Sequence, residues 1–218
     1  MAGRAMNKAS NSLILPLVLL LAACNMGSGG NASSSPQSAP GDLAGARIGG
    51  PFALTDQDGK KVRWDDFKGR YRLVYFGYSY CPDVCPVDLQ RIMQGFTRFE
   101  KADPGRAARL QPIFITLDPE RDTPQVLKTY VAAFHPRLIG LTGTPKEIAK
   151  VAKDFVVLYN KEEQKGASTY LVSHSRTPYL FGPDGQPVAL VPVDDPGTPD
   201  KQEGDPAEVL AFLEKWVK

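Results

Sequence analysis

Two hydrophobic periods alternate along this 218-residue chain, and the switches between them divide it into short elements. Residues 52–64, FALTDQDGKKVRW, read as two strands turning at Asp58-Gly59. Residues 72–80, RLVYFGYSY, are almost continuously apolar, the pattern of a central strand covered on both faces. Pro86 is suited to open a helix, and Leu89, Ile92, Met93, Phe96 and Phe99 then recur at helical spacing. Residues 110–118 predict a strand, 123–134 a helix, 138–143 a short strand and 144–155 another helix. Residues 156–160 and 170–175 read as strands, and 177–191 as a hairpin turning at Asp184-Gly185. The last residues, DPAEVLAFLEKWVK, form an amphipathic helix.

A β-α-β unit followed by a β-hairpin and a terminal helix is the thioredoxin-like plan. The expected fold class is therefore α/β: a central mixed sheet flanked by helices, with an N-terminal hairpin extension.

Before residue 48 the pattern is of another kind. A short basic region (1–10) precedes the apolar run LILPLVLLLAA, and LAAC follows at Leu21–Cys24. The run is too short to span a bilayer comfortably and ends in small residues, as a cleaved signal does. Leu-Ala-Ala-Cys resembles the bacterial lipoprotein signal, in which Cys24 becomes the lipid-bearing first residue. Residues 25–47, rich in Gly, Ser, Ala and Asn, read as a flexible tether averaging roughly 25 Å. The expected organisation is a signal peptide over 1–23, lipidated Cys24 and tether over 24–47, and one domain over 48–218. It places the domain outside a bacterial cell membrane, facing the periplasm or extracytoplasmic space.

Composition adds exclusions. The chain is 42% hydrophobic and 23% charged, an ordinary globular balance. Its net charge of +2 comes from Arg4 and Lys8, because the remainder has equal numbers of acidic and basic residues. A neutral domain offers no electrostatic case for nucleic acid or for an anionic membrane surface.

The candidate chemistry lies in GYSYCPDVCPVDL, residues 77–89. With Cys24 lipidated, Cys81 and Cys85 remain, in a compartment where a thiol pair defaults to a disulfide. Reduced thiols there must be maintained by a partner or by bound metal. Cys81 is expected in the loop and Cys85 at the helix mouth, where backbone N–H groups stabilise a thiolate. Cys-x-x-x-Cys is one residue wider than the Cys-x-x-Cys of thioredoxins, which gives a metal room without forbidding a disulfide. Disulfide, redox couple and metal site all stay open on this pattern. Two thiolates suit a soft monovalent ion, and a third soft or borderline ligand would close a trigonal site. The chain has two histidines. His135, just after a helix and before a proline, reads as a surface or helix-end residue. His174 lies where an apolar strand runs into a loop, and the local pattern leaves its role open.

Four segments, YFGYSYCPDVCPVDL, ITLDPERDTPQVLKTYVAAF, LIGLTG and YLVSHSRTPYLFGPDG, occur in this order. Together they resemble the Sco (SenC/PrrC-like) family of copper-binding cytochrome c oxidase assembly proteins, over about residues 48 to 217. The resemblance implies a thioredoxin-like fold with copper held by Cys81, Cys85 and His174. It also implies help in building the CuA centre of cytochrome c oxidase subunit II. An upstream copper donor and a thioredoxin-like reductant are the further partners it suggests. The donor set favours Cu(I) and tolerates Cu(II), whereas zinc would normally take a fourth ligand. A thiol–disulfide oxidoreductase that keeps the CuA-site cysteines reduced, with Cys81 and Cys85 as the redox pair, is the alternative. A copper sensor or buffer is another.

One departure from the family is Ser173, where an acidic residue commonly precedes the histidine; outer-shell groups of that kind tune a metal site. Tyr80 is expected to pack around the site. DPERDTP (118–124) is expected to cap the next helix through Asp122 or Thr123, or to help position the site and dock a partner. DQDG and GPDG lack the ligand series of a calcium loop and read as turns.

Overall fold

The computed structural model describes residues 41–163, 169–194 and 204–218. The expected signal, Cys24 and the tether up to residue 40 lie outside the described residues. In chain order the strands are β1 (Ala53–Asp56), β2 (Lys61–Arg63), β3 (Tyr71–Gly77), β4 (Leu110–Thr116) and β5 (Ile139–Thr142). They continue with β6 (Tyr159–Glu163), β7 (Tyr170–His174), β8 (Tyr179–Phe181) and β9 (Pro187–Leu190). The helices are α1 (Val84–Ala102), α2 (Pro104–Ala108), α3 (Pro124–Ala132), α4 (Pro145–Asp154) and α5 (Pro206–Trp216).

A seven-stranded sheet runs in the order β2-β1-β5-β4-β3-β8-β9. Its centre, β3, β4 and β5, is parallel, and the flanking strands are antiparallel. Every residue of β3 and β4 is buried, as two-sided burial requires of an apolar run. Tyr75 and Phe114 stand level on adjacent strands and face α1 and α3, where Tyr75 meets Asp88 and Phe114 meets Tyr130. The opposite face carries Phe76, packed on Phe155 at the end of α4. Phe155 in turn joins Phe52, Trp64 and Phe181 in one aromatic cluster.

Both turns expected at Asp-Gly are present, with Gly59 and Gly185 in the left-handed conformation that favours glycine. The N-terminal hairpin extends the sheet itself, since β1 pairs with β5. Residues 41–43, expected as tether, instead lie against β9: Gly41 accepts from Leu190 N–H and Leu43 N–H donates to Val188. Apolar content alone does not show such edge pairing, because it uses main-chain groups. Helix α1 starts at Val84, two residues before Pro86. Strand β3 ends at Gly77, short of the expected Tyr80. The strand expected over 156–160 starts only at Tyr159. Val156 has a left-handed backbone and is exposed with Leu158, while Val157 alone among residues 156–158 is buried. Strands β6 and β7 form a separate two-stranded ribbon.

Helices α1 and α5 approach closely at Gly95, where an added Cβ would lie 2.5 Å from the Val209 side chain. Gly95→Ala should therefore destabilise the domain by about 1–3 kcal/mol through overpacking, despite the better helix propensity of alanine. Urea denaturation measures it, and an unshifted midpoint would contradict the close approach.

Candidate metal centre

The loop after β3 and the first turn of α1 place the two cysteines differently. Cys81 lies before the helix and is half-buried, whereas Cys85 is its second residue and is fully buried. Both are free thiols. The Cys85 N–H donates to Cys81 Sγ at 3.4 Å, so the helix mouth serves the sulfur outside it. His174, the last residue of β7, brings its Nε2 to 3.0 Å from Cys85 Sγ. Its Nδ1 lies 2.9 Å from the Ser175 carbonyl, which can only accept. Nδ1 therefore carries the proton, and Nε2 presents its lone pair to the thiols. The edge-on Tyr78 ring, 6.1 Å away, packs against the imidazole.

The structure thus brings together Cys81, Cys85 and His174. Among the described residues, no group of three or more His, Cys, Asp or Glu is spaced as ligands around a bound ion are. Here Cys85 and His174 are in hydrogen-bonding contact. Donors sharing one ion stand roughly 3.5–3.8 Å apart, by metal–ligand distances of about 2.0–2.3 Å. Metal entry would need the thiol proton to leave and the two side chains to part slightly.

The thiols titrate as a coupled pair. The Cys85 thiol and the backbone N–H groups of Asp83 and Cys85 hold Cys81 down to about 3, against the cost of its burial. The neighbouring Cys81 sulfur, together with burial, pushes Cys85 up. The expectation that the helix mouth would activate Cys85 is thus reversed: its amides stabilise Cys81, and Cys85 sits too deep to ionise readily.

Buried acids brace both sides of this site. Asp122 accepts from the Ser79 N–H at 3.0 Å and from the hydroxyls of Ser79 and Thr116, fixing the start of the cysteine loop. Burial raises its pKa even so. Asp118 accepts from the Tyr170 hydroxyl at 2.6 Å and from Arg121 Nε. Arg121 also donates to the Tyr170 carbonyl and stacks 3.8 Å from that ring, tying DPERDTP to the histidine-bearing ribbon. Thr123, not Asp122, is the N-cap of α3. Apart from that cap and the short-range Arg121–Asp118 and Thr116–Asp122 pairs, these contacts cross between distant segments and leave no local signal.

Three expectations change here. Tyr80 is 54% exposed beneath Arg121, and Tyr78 is the aromatic residue set edge-on to the imidazole. His135 follows α3 as expected but is buried, bonded to Glu100 at 2.9 Å and accepting the Arg137 N–H. Ser173 is exposed, its hydroxyl 3.4 Å from the Asn160 carbonyl, so the imidazole takes its orientation from Ser175 instead.

The family model described as SCO1/SenC matches residues 41–209. The chain belongs to the SCO1/SenC family. Among its relatives is the mitochondrial SCO2 protein of Saccharomyces cerevisiae, 43% identical over 140 residues, covering 64% of this chain and 46% of that protein. The human mitochondrial SCO2 homolog is 42% identical over 144 residues, covering 66% and 53%. The chain thus spans about half the length of these curated relatives. Arabidopsis thaliana ScoI, solved with copper bound, is 37% identical with a TM-score of 0.68, covering 77% of this chain and 96% of that one. Bradyrhizobium japonicum ScoI, also copper-bound, is 38% identical with a TM-score of 0.66, covering 78% and 99%. The thioredoxin domain of a Bacteroides vulgatus thiol-disulfide oxidoreductase shares the fold at 15% identity and a TM-score of 0.52, covering 78% and 96%. The thioredoxin-like fold expected from the element order is borne out.

In this SCO1/SenC chain, reduced and metal-free, iodoacetamide should modify Cys81 before Cys85. A lowered pKa keeps Cys81 ionised above about 3, so its rate should be nearly flat from pH 5 to 8. An ordinary thiol of pKa about 8.5 would quicken by more than about a hundredfold over that range. Mass spectrometry of the alkylated peptides checks both order and slope.

Proposed function

We propose that this protein is a membrane-tethered copper chaperone that carries the ion on Cys81, Cys85 and His174 and delivers it during assembly of the CuA centre. The observation carrying this reading is the meeting of both thiols with a histidine whose Nδ1 is already engaged. Two sulfurs and a neutral imidazole suit Cu(I) and also accept Cu(II). Copper here is cargo. A low-pKa Cys81 at the surface side offers an accessible first point of ligand exchange, and buried Cys85 with His174 retains the ion until a partner's thiols replace them.

The acceptor in this reading is the CuA domain of cytochrome c oxidase subunit II, with an upstream copper donor and a thioredoxin-like reductant acting before transfer. The large apolar side chains exposed among the described residues support docking at this end. Tyr80 and Val87 flank the cysteines in the chain, and Leu158, two residues after exposed Val156, bonds Ser175, beside His174. Lipid on Cys24 would hold the domain at a bacterial membrane, facing the periplasm or extracytoplasmic space, and the following residues would give it reach.

The lowered Cys81 pKa favours a second reading, a thiol–disulfide oxidoreductase. In it Cys81 attacks an acceptor disulfide, Cys85 resolves the mixed disulfide, and two electrons and two protons pass to the acceptor's cysteines.

His174→Ala separates the two. Under the chaperone reading it should weaken Cu(I) binding by about a hundredfold or more, since losing an outer-shell group alone costs about 10–100-fold. It should also fail to restore oxidase activity to a strain lacking the protein. Full binding and full complementation would end that reading. Complementation lost with Cys81→Ser or Cys85→Ser but kept with His174→Ala would favour the reductase. Separately, Cys24→Ser should release the protein from the membrane fraction, and retention there would contradict lipid anchoring.

A further inference from the structure

Two neighbouring contacts join the start of α1 to the chain around the end of β7. The first is the Cys85–His174 contact at 3.0 Å. The second lies one step further along both elements. Asp88 is three residues beyond Cys85, on the same helix face, and Arg176 is two residues beyond His174, just past the end of β7. Arg176 grips Asp88 with two parallel hydrogen bonds, Nε to Oδ2 at 3.0 Å and Nη2 to Oδ1 at 2.7 Å. Asp88 is 1% exposed, and the Tyr75 hydroxyl from β3 adds a third bond to Oδ2 at 3.1 Å.

We propose that Asp88 and Arg176 are positioning residues, whose ion pair sets how closely His174 approaches Cys85 and thereby shapes the copper site. The proposal rests on the copper-binding reading above. A bidentate fork fixes orientation as well as distance. A buried carboxylate without its partner is strongly unfavourable, so the ion pair resists separation. At its other end β7 is held by Tyr170 on Asp118 and Arg121. His174 therefore lies between two anchored points, and the nearer is the Asp88–Arg176 clamp. Ser173, exposed on the ribbon, does not share this task.

The test compares Arg176→Gln with the unchanged chain, reduced and loaded with one equivalent of copper. Affinity is read by Cu(I) competition against a chromophoric chelator, and geometry by the thiolate absorption and electron paramagnetic resonance of the Cu(II) form. Arg176→Gln should lower affinity by about tenfold or more and shift both spectra. Arg176→Lys, which keeps the charge but loses the fork, should fall between. In a His174→Ala background the same change should add no further loss, because the clamp acts through the imidazole. A folded Arg176→Gln with unchanged affinity and spectra would overturn the proposal, as would an equal loss with and without His174. Should Arg176→Gln fail to fold, unchanged spectra in Arg176→Lys would overturn it equally.

A copper-free arm separates this failure from that of the chaperone reading. In reduced apo-protein, Arg176→Gln or Arg176→Lys should change the rate at which Cys85 is alkylated, because its imidazole contact is loosened. An unchanged Cys85 rate in the folded variant overturns the clamp, whatever the copper titration gives. A chain that binds copper no better than His174→Ala overturns the chaperone reading alone.

Discussion

The burial of the Cys85 thiol against an imidazole 89 residues further along the chain is the constraint on which the rest of the site depends. A sulfur this deep can meet a second donor only if the chain carrying that donor is brought down onto the helix. The two-stranded ribbon does this, and the domain anchors it where it crosses the loops at this end of the sheet. The protonation pattern follows from the same burial. Cys85 keeps its proton, the helix amides act on Cys81, and the Ser175 carbonyl leaves the histidine nitrogen nearest the thiols free to accept.

Three buried carboxylates do the bracing, and each is satisfied by partners from a different segment. Asp122 holds the chain entering the cysteine loop, Asp118 holds the start of β7, and Asp88 holds the chain leaving it. Buried acids are costly unless fully partnered. Each one therefore acts as a geometric stop: the loop it binds cannot drift without leaving an unpaired charge. Side chains braced on several sides, with one sulfur left partly open, are the geometry on which the proposed chaperone role rests.

Much of the fold was legible because its signals are local. The two Asp-Gly turns, the largely apolar β3 and β4 and the proline-led starts of α3, α4 and α5 all carry their information within a few residues. Misplaced boundaries have a common cause. Residues 156–158 are apolar enough for a strand, yet the turn after α4 exposes Val156 and Leu158 and buries Val157. Residues 41–43 look like linker because main-chain pairing with β9 needs no apolar side chain. His135 reads as a surface residue because its partner, Glu100, sits 35 positions away on α1.

The same division holds at the candidate centre. By itself, the sequence marked the candidates: Cys81 and Cys85 stand on either side of a helix start by type and spacing, and the family resemblance added His174 at a strand end. Tertiary structure alone decided which thiol is activated and how the imidazole is oriented. It alone put Tyr78 rather than Tyr80 against the site and joined Asp88, Asp118 and Asp122 to their partners. Those outcomes depend on burial and on contacts between segments remote in the chain, which a linear pattern does not encode.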